Sequence, residues 1–78
     1  MKLTYDPKLN IAYIGFKEKT EKVNSIKLSE DVIVDLSADG SVYGIEFLDA
    51  NHQLFTDHFM KLVFENVLSG KKQEIQLG

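Results

Sequence analysis

Five carboxylates crowd DVIVDLSADGSVYGIEFLDA, residues 31–50, and four of them, Asp35, Asp39, Glu46 and Asp49, are the candidates for chemistry. Carboxylate oxygens are the donors that calcium and magnesium select, so a hard-cation site is the first chemistry to weigh. A calcium loop places oxygen donors at alternate positions, and here Ser37 is the only oxygen-bearing side chain at such a position before Asp39. The acids have a simpler reading. Asp39-Gly40 carries turn chemistry, and Asp35 and Glu46 sit among alternating apolar residues as the solvated side of a hairpin does. No metal site and no cofactor are expected.

His52 and His58 are six residues apart, which on a helix turns them about 120° from each other, too far to clamp one ion from a single face. Either histidine has an acid for an acid–base couple, Asp49 or Asp57. An activated nucleophile must also be in reach. The chain has no cysteine, and none of its serines stands in a Gly-x-Ser-x-Gly elbow. No glycine-rich phosphate loop is present, since Gly40 and Gly44 fit hairpin geometry and Gly15 stands alone. The expectation is a protein that is not an enzyme, with no catalytic residues.

The absence of cysteine also removes disulfides and sulfur-based zinc sites as sources of stability. A chain of 78 residues buries only about 60–65% of its unfolded surface, so a partner chain is the default source of the missing stability. The net charge is −3, with seven acids and no lysine over residues 28–60 and six lysines over residues 1–27. All nine basic residues are lysine. Without the planar fork of arginine, and with acidic net charge, nucleic acid is not an expected partner. No apolar run is long enough for a membrane span, and Met1-Lys2-Leu3-Thr4 leads into a strand pattern rather than a signal-peptide core. Cytoplasmic location and no membrane contact are expected.

The elements that position these residues follow from periodicity. KLTY, DPKLN and IAYIGF read as strand, turn and strand: Pro7 presets a turn, Asp6 accepts from backbone ahead of it, and Asn10 tolerates the left-handed conformation. Gly15 inside the second strand marks a bulge or a close approach by something packed over it. Residues 17–22, KEKTEK, read as a solvated connection, and VNSIKL as a third strand. Around Asp39-Gly40 a two-residue type I′ turn, with an even register, pairs Leu36 with Tyr43, Val34 with Ile45 and Val32 with Phe47 on one apolar face. Ile33, Asp35, Val42, Gly44, Glu46 and Leu48 take the other.

Beyond Asn51 the period changes. Phe55, Phe59, Leu62, Val63 and Val67 recur at helical steps, with Thr56 or Asn51 as the cap and Ser69-Gly70 as the stop. Leu54, Met60, Phe64 and Leu68 broaden that stripe beyond what one sheet covers, and Met60, Phe64 and Leu68 are the expected interface residues. The tail KKQEIQLG adds at most a short edge strand.

YDPKLNIAYIGF followed by LSEDVIVDLSADGSVYGIEFLDA resembles the small prokaryotic family catalogued as domain of unknown function 2283. The matching positions are Tyr5, Asp6, Pro7, Tyr13, Ile14, Val34, Asp35, Asp39, Gly40, Val42, Gly44, Ile45, Glu46, Leu48, Asp49 and Ala50. The resemblance spans roughly residues 2–50 and implies a compact β-rich fold with no activity to transfer. Asn10 stands where that family has an acid and Ala12 where it has a larger aliphatic residue.

These readings converge on an α+β domain over residues 1–78, an antiparallel meandering sheet of about four to six strands with one C-terminal helix packed on it. Its expected role is a non-enzymatic protein–protein interaction module that self-associates as a homodimer or a higher closed assembly. Two alternatives stand beside it. One is a small-ligand or metal-binding module whose pocket uses Tyr5, Tyr13 and the hairpin acids. The other is an acidic, antitoxin-like adaptor for a basic heterologous protein.

Overall fold

The first turn forms as its residues dictate. Asp6 Oδ1 accepts the backbone N–H of Lys8 at 2.9 Å and of Leu9 at 3.2 Å, and Asn10 closes the loop with φ of 56°. This joins β1 (Lys2–Asp6) to β2 (Ile11–Gly15). The computed structural model describes residues 1–55 and 61–77. After the polar connection come β3 (Asn24–Ser29), β4 (Val32–Leu36), β5 (Val42–Leu48), a one-turn helix α1 (Ala50–Gln53), then β6 (Lys61–Glu65) and β7 (Lys72–Gln76).

Five strands make one antiparallel sheet in the order β1-β2-β5-β4-β3, and β6 pairs with β7 as a separate hairpin. The sheet is therefore not a simple meander. Residues 17–22 carry the chain from β2 to the far edge, and the β3-β4-β5 meander returns so that β5, the strand with two apolar neighbours, docks on β2.

The hairpin around Asp39 differs from a type I′ turn, because only Gly40 has positive φ, at 87°. Ser37 N–H bonds Ser41 O at 2.8 Å and Gly40 N–H bonds Ser37 O at 2.9 Å, which is a three-residue loop with a left-handed glycine. An odd loop shifts the register by one. A β-bulge restores it: Leu36 pairs with Val42, Asp35 with Gly44, and Tyr43 is the extra residue. Val34↔Ile45 and Val32↔Phe47 then match the apolar pattern, while Val42 takes the place expected of Tyr43. Burial of one face thus selected the register, and the bulge absorbed the turn's odd count.

Across the sheet, register places Leu3, Tyr5, Ala12, Ile14, Ile45, Phe47, Val32, Val34 and Leu36 on one side. Ala12 at its centre is fully buried, and Phe55 closes over Tyr5 with ring centroids 4.9 Å apart. Ala50 of α1 is also fully buried.

The long C-terminal helix does not form over the described residues. Residues 61–65 are strand β6, and Asn66 through Lys71 make a tight loop: Asn66 Oδ1 accepts Leu68 N–H at 3.0 Å and Ser69 N–H at 3.3 Å, while Gly70 has φ of 75°. The physical cause is a doubled pattern. KLVFE satisfies a helical stripe with Leu62 and Val63, yet Leu62 and Phe64 also alternate, and Phe and Val favour strands. Gly70 meets the demand for a left-handed residue in either case, so it did not discriminate. β7 pairs with β6, not with an edge of the five-stranded sheet. The helix that does form starts elsewhere too: its N-cap is Asp49, with φ of 51°, not Asn51 or Thr56. Thr56, Asp57, His58, Phe59 and Met60 lie outside the described residues.

Candidate functional site

The polar side of the sheet is organised by a row of small residues. Ser25 of β3, Asp35 of β4, Gly44 of β5 and Gly15 of β2 stand opposite one another in successive pairs. The two glycines leave a floor without side chains, and the ring of Tyr13 leans across it. A Cβ on Gly44 would stand 2.7 Å from Tyr13 Cε1 and closer still to Cζ and the hydroxyl, whereas one on Gly15 would meet Cε1 at an ordinary 3.5 Å. Gly44 is thus the close approach, not Gly15.

Lying flat, Tyr13 reaches over β5 to donate its hydroxyl proton to Asp35 Oδ2 at 2.8 Å, and Ser25 Oγ donates to Asp35 Oδ1 at 2.6 Å. One chain of contacts therefore ties β2, β5, β4 and β3. Burial, followed by the hydrogen bond and charge of Asp35, pushes the Tyr13 hydroxyl up to about 12. At neutral pH it is a donor, not a base or nucleophile, and both oxygens of Asp35 are engaged. The arrangement holds strands together.

Asp39 belongs to a different network. Its Oδ1 accepts from Ser41 N–H at 3.0 Å and Ser41 Oγ at 2.6 Å, while Lys17 Nζ donates to Ser37 Oγ at 2.9 Å and Ser41 Oγ at 2.6 Å. The Ser41 bonds, and then the charge of Lys17, hold the Asp39 carboxyl below its ordinary value. These contacts serve the turn, as its residue types imply.

Asp49 sits in a third place. Asn10 Nδ2 donates to Asp49 Oδ1 at 3.3 Å and to Asn51 Oδ1 at 2.6 Å, and Asn51 N–H donates to Asn10 Oδ1 at 2.9 Å. His52 Nδ1 lies 3.0 Å from both Asp49 oxygens. The first turn and the start of α1 are thereby clasped together, a role for Asn10 that no local pattern announces. The Asp49–His52 couple is exposed, at 44% and 77% of the side chains, and no serine or threonine hydrogen-bonds His52 among the described residues. His58 and Asp57 fall outside those residues.

The four acids are thus dispersed over separate networks, with Glu46 opposite Tyr13 and Ile33. Among the described residues no group of three or more His, Asp or Glu side chains is placed to hold a metal ion. A shallow cleft of about 370 Å³ is lined by Lys2, Thr4, Tyr13, Lys17 and Tyr43 among others. Tyr5 does not belong to it. Tyr5 pairs with Ala12 and Tyr13 with Thr4, so the two tyrosines occupy opposite faces and cannot line one pocket.

Of the expected interface residues, Phe64 is on β6 and 61% exposed, Leu68 is at the tip of the β6–β7 loop and 96% exposed, and Met60 lies outside the described residues. No described helix is long and apolar enough to cross a membrane.

No curated protein and no solved structure matches the chain. Residues 2–51, which hold the five-stranded sheet, the Tyr13–Asp35 contact and the Asn10–Asp49 clasp, match the model of the family described as protein of unknown function DUF2283, and the chain belongs to that family.

Proposed function

We propose that this chain is a self-associating protein-interaction module with no catalytic activity of its own. The observation that carries the reading is its surface. The chain exposes 6255 Å². A folded monomer of 8.9 kDa exposes about 4,800 Å² by the usual scaling with mass, so roughly 1,400 Å² is in excess. The Cα radius of gyration of 14.1 Å likewise exceeds the ~11.5 Å of a compact chain of this length. Among the described residues no large side chain is fully buried. A second copy that covered the excess would complete a core the single chain lacks.

Light scattering at micromolar concentration tests this. The wild type should run as a dimer or a higher closed assembly. Phe64→Glu should weaken association by at least about 30-fold, the effect of ~2 kcal/mol at a central aromatic anchor, and lower thermal stability with it. A wild type that stays monomeric and stable would overturn the reading.

A further inference from the structure

We infer that two copies exchange their β6–β7 hairpins, each hairpin lying on the apolar face of the other copy's five-stranded sheet. The inference rests on the self-association reading and adds to it the segment that crosses and the surface that receives it.

The hairpin needs an outside contact. A two-stranded hairpin alone is marginal in water, and here every residue of both strands is exposed. Neither strand packs broadly on any strand of the five-stranded sheet among the described residues. The hairpin is nonetheless built with two unlike sides. Register sets Leu62 opposite Ile75 and next to Phe64 on one side, while the other carries the ion pairs Lys61–Glu74 at 3.8 Å and Lys72–Glu65 at 3.7 Å. Among the described residues the apolar side stays open: Leu62, Phe64 and Ile75 are 45%, 61% and 52% exposed.

The sheet presents the matching deficit. Its apolar side is closed by Phe55 over Tyr5 near β1, but it stays open at Ile26 of β3 and at Val42 of β5 beside the Asp39 turn, opposite Val34 and Leu36, 41% and 40% exposed. Three ways of pairing two copies differ in what they leave bare. Sheet on sheet leaves both hairpins unsupported, and hairpin on hairpin leaves both sheets open. Reciprocal exchange covers both surfaces with one two-fold operation. The excess of roughly 1,400 Å² per chain, about 2,800 Å² for the pair, falls in the range of obligate homodimers.

The chain has no cysteine, so single cysteines report proximity without background. Chains bearing Val67→Cys, at the exposed hairpin tip, or Phe64→Cys are mixed with longer, tagged chains bearing Ile26→Cys. The mixture is refolded together and treated with a short bismaleimide. Because Val67 is 89% exposed, its substitution removes no packing within the chain, and it keeps the test valid if Phe64→Cys fails to fold. Exchange predicts a mixed-length crosslink at about tenfold or more the yield from Ile26→Cys chains alone, as an effective concentration across a fixed interface requires. It also predicts no intrachain crosslink when a Val67→Cys, Ile26→Cys double variant is refolded in excess wild type. A dimer by light scattering whose crosslink is intrachain, or confined to sheet–sheet positions, overturns the exchange and leaves self-association standing. A monomeric wild type overturns both.

Discussion

Gly44→Ala should damage this protein although alanine is the better strand former. The added Cβ falls 2.7 Å from Tyr13 Cε1 and closer to the rest of the ring, so Tyr13 must leave the floor it lies on. Its 2.8 Å bond to Asp35 is then lost. A hydrogen bond to a charged acceptor contributes about 1.5–3 kcal/mol, and replacing a strand glycine by alanine returns about 0.5–1 kcal/mol of backbone entropy. The net expected loss is about 1–2 kcal/mol, or roughly 5–15 °C in Tm for a chain of this size. The assay is thermal and urea melting of four proteins at one fixed concentration: wild type, Gly44→Ala, Tyr13→Ala and the double variant. With Tyr13 cut back, Gly44→Ala should be neutral or slightly stabilising, which gives a coupling of about 1.5–3 kcal/mol between two residues on different strands. Equal cost in both backgrounds would show that the clash is not with Tyr13, and the cross-strand account would fail.

Gly40→Val should cost at least ~1 kcal/mol in denaturant melts, because φ is 87° there. Nothing lies within 4 Å of the added Cβ, so the loss would be backbone strain alone, and an unchanged midpoint would refute the left-handed turn. Tyrosinate absorbance should show one of the three tyrosines titrating near pH 12, with that component absent in Tyr13→Phe. The folded state holds this proton more tightly than the unfolded chain, whose tyrosine titrates near its ordinary 10.0, so the stabilisation is complete below pH 10 and declines as pH rises toward 12. A wild type and Tyr13→Phe with the same stability slope across that window would contradict the Asp35 contact.

Local chemistry was legible wherever one residue type answers one backbone demand. Asp6, Pro7 and Asn10 specify the first turn within five residues, and Asn10 takes the left-handed conformation its side chain tolerates. The alternation in β4 and β5 likewise identifies both strands and their register, since one residue of slip would turn the apolar set outward. That constraint held even though the turn came out with an odd count, because a bulge at Tyr43 costs less than exposing Val32, Val34, Ile45 and Phe47. What the pattern lacked was the means, since nothing in ADGSVY distinguishes an even loop from an odd loop with a bulge.

Tertiary structure decided the rest. Residues 61–65 satisfy a helical and a strand period together, and pairing with residues 72–76 settles the choice by supplying backbone partners that a local pattern does not contain. Gly44 fits hairpin geometry in the sequence; only the packing of β2 against β5 shows it as the seat for Tyr13. Asn10 is about forty positions from Asp49 and Asn51 and meets them because two turns lie at the same end of the sheet. Sequence alone located the strands of the first fifty residues and most of the faces they bury, Val42 and Tyr43 excepted, because side-chain alternation and turn chemistry act over a few residues. Which strands become neighbours, and which side chains cross between them, depends on contacts between distant segments, and those exist only once the chain has closed on itself.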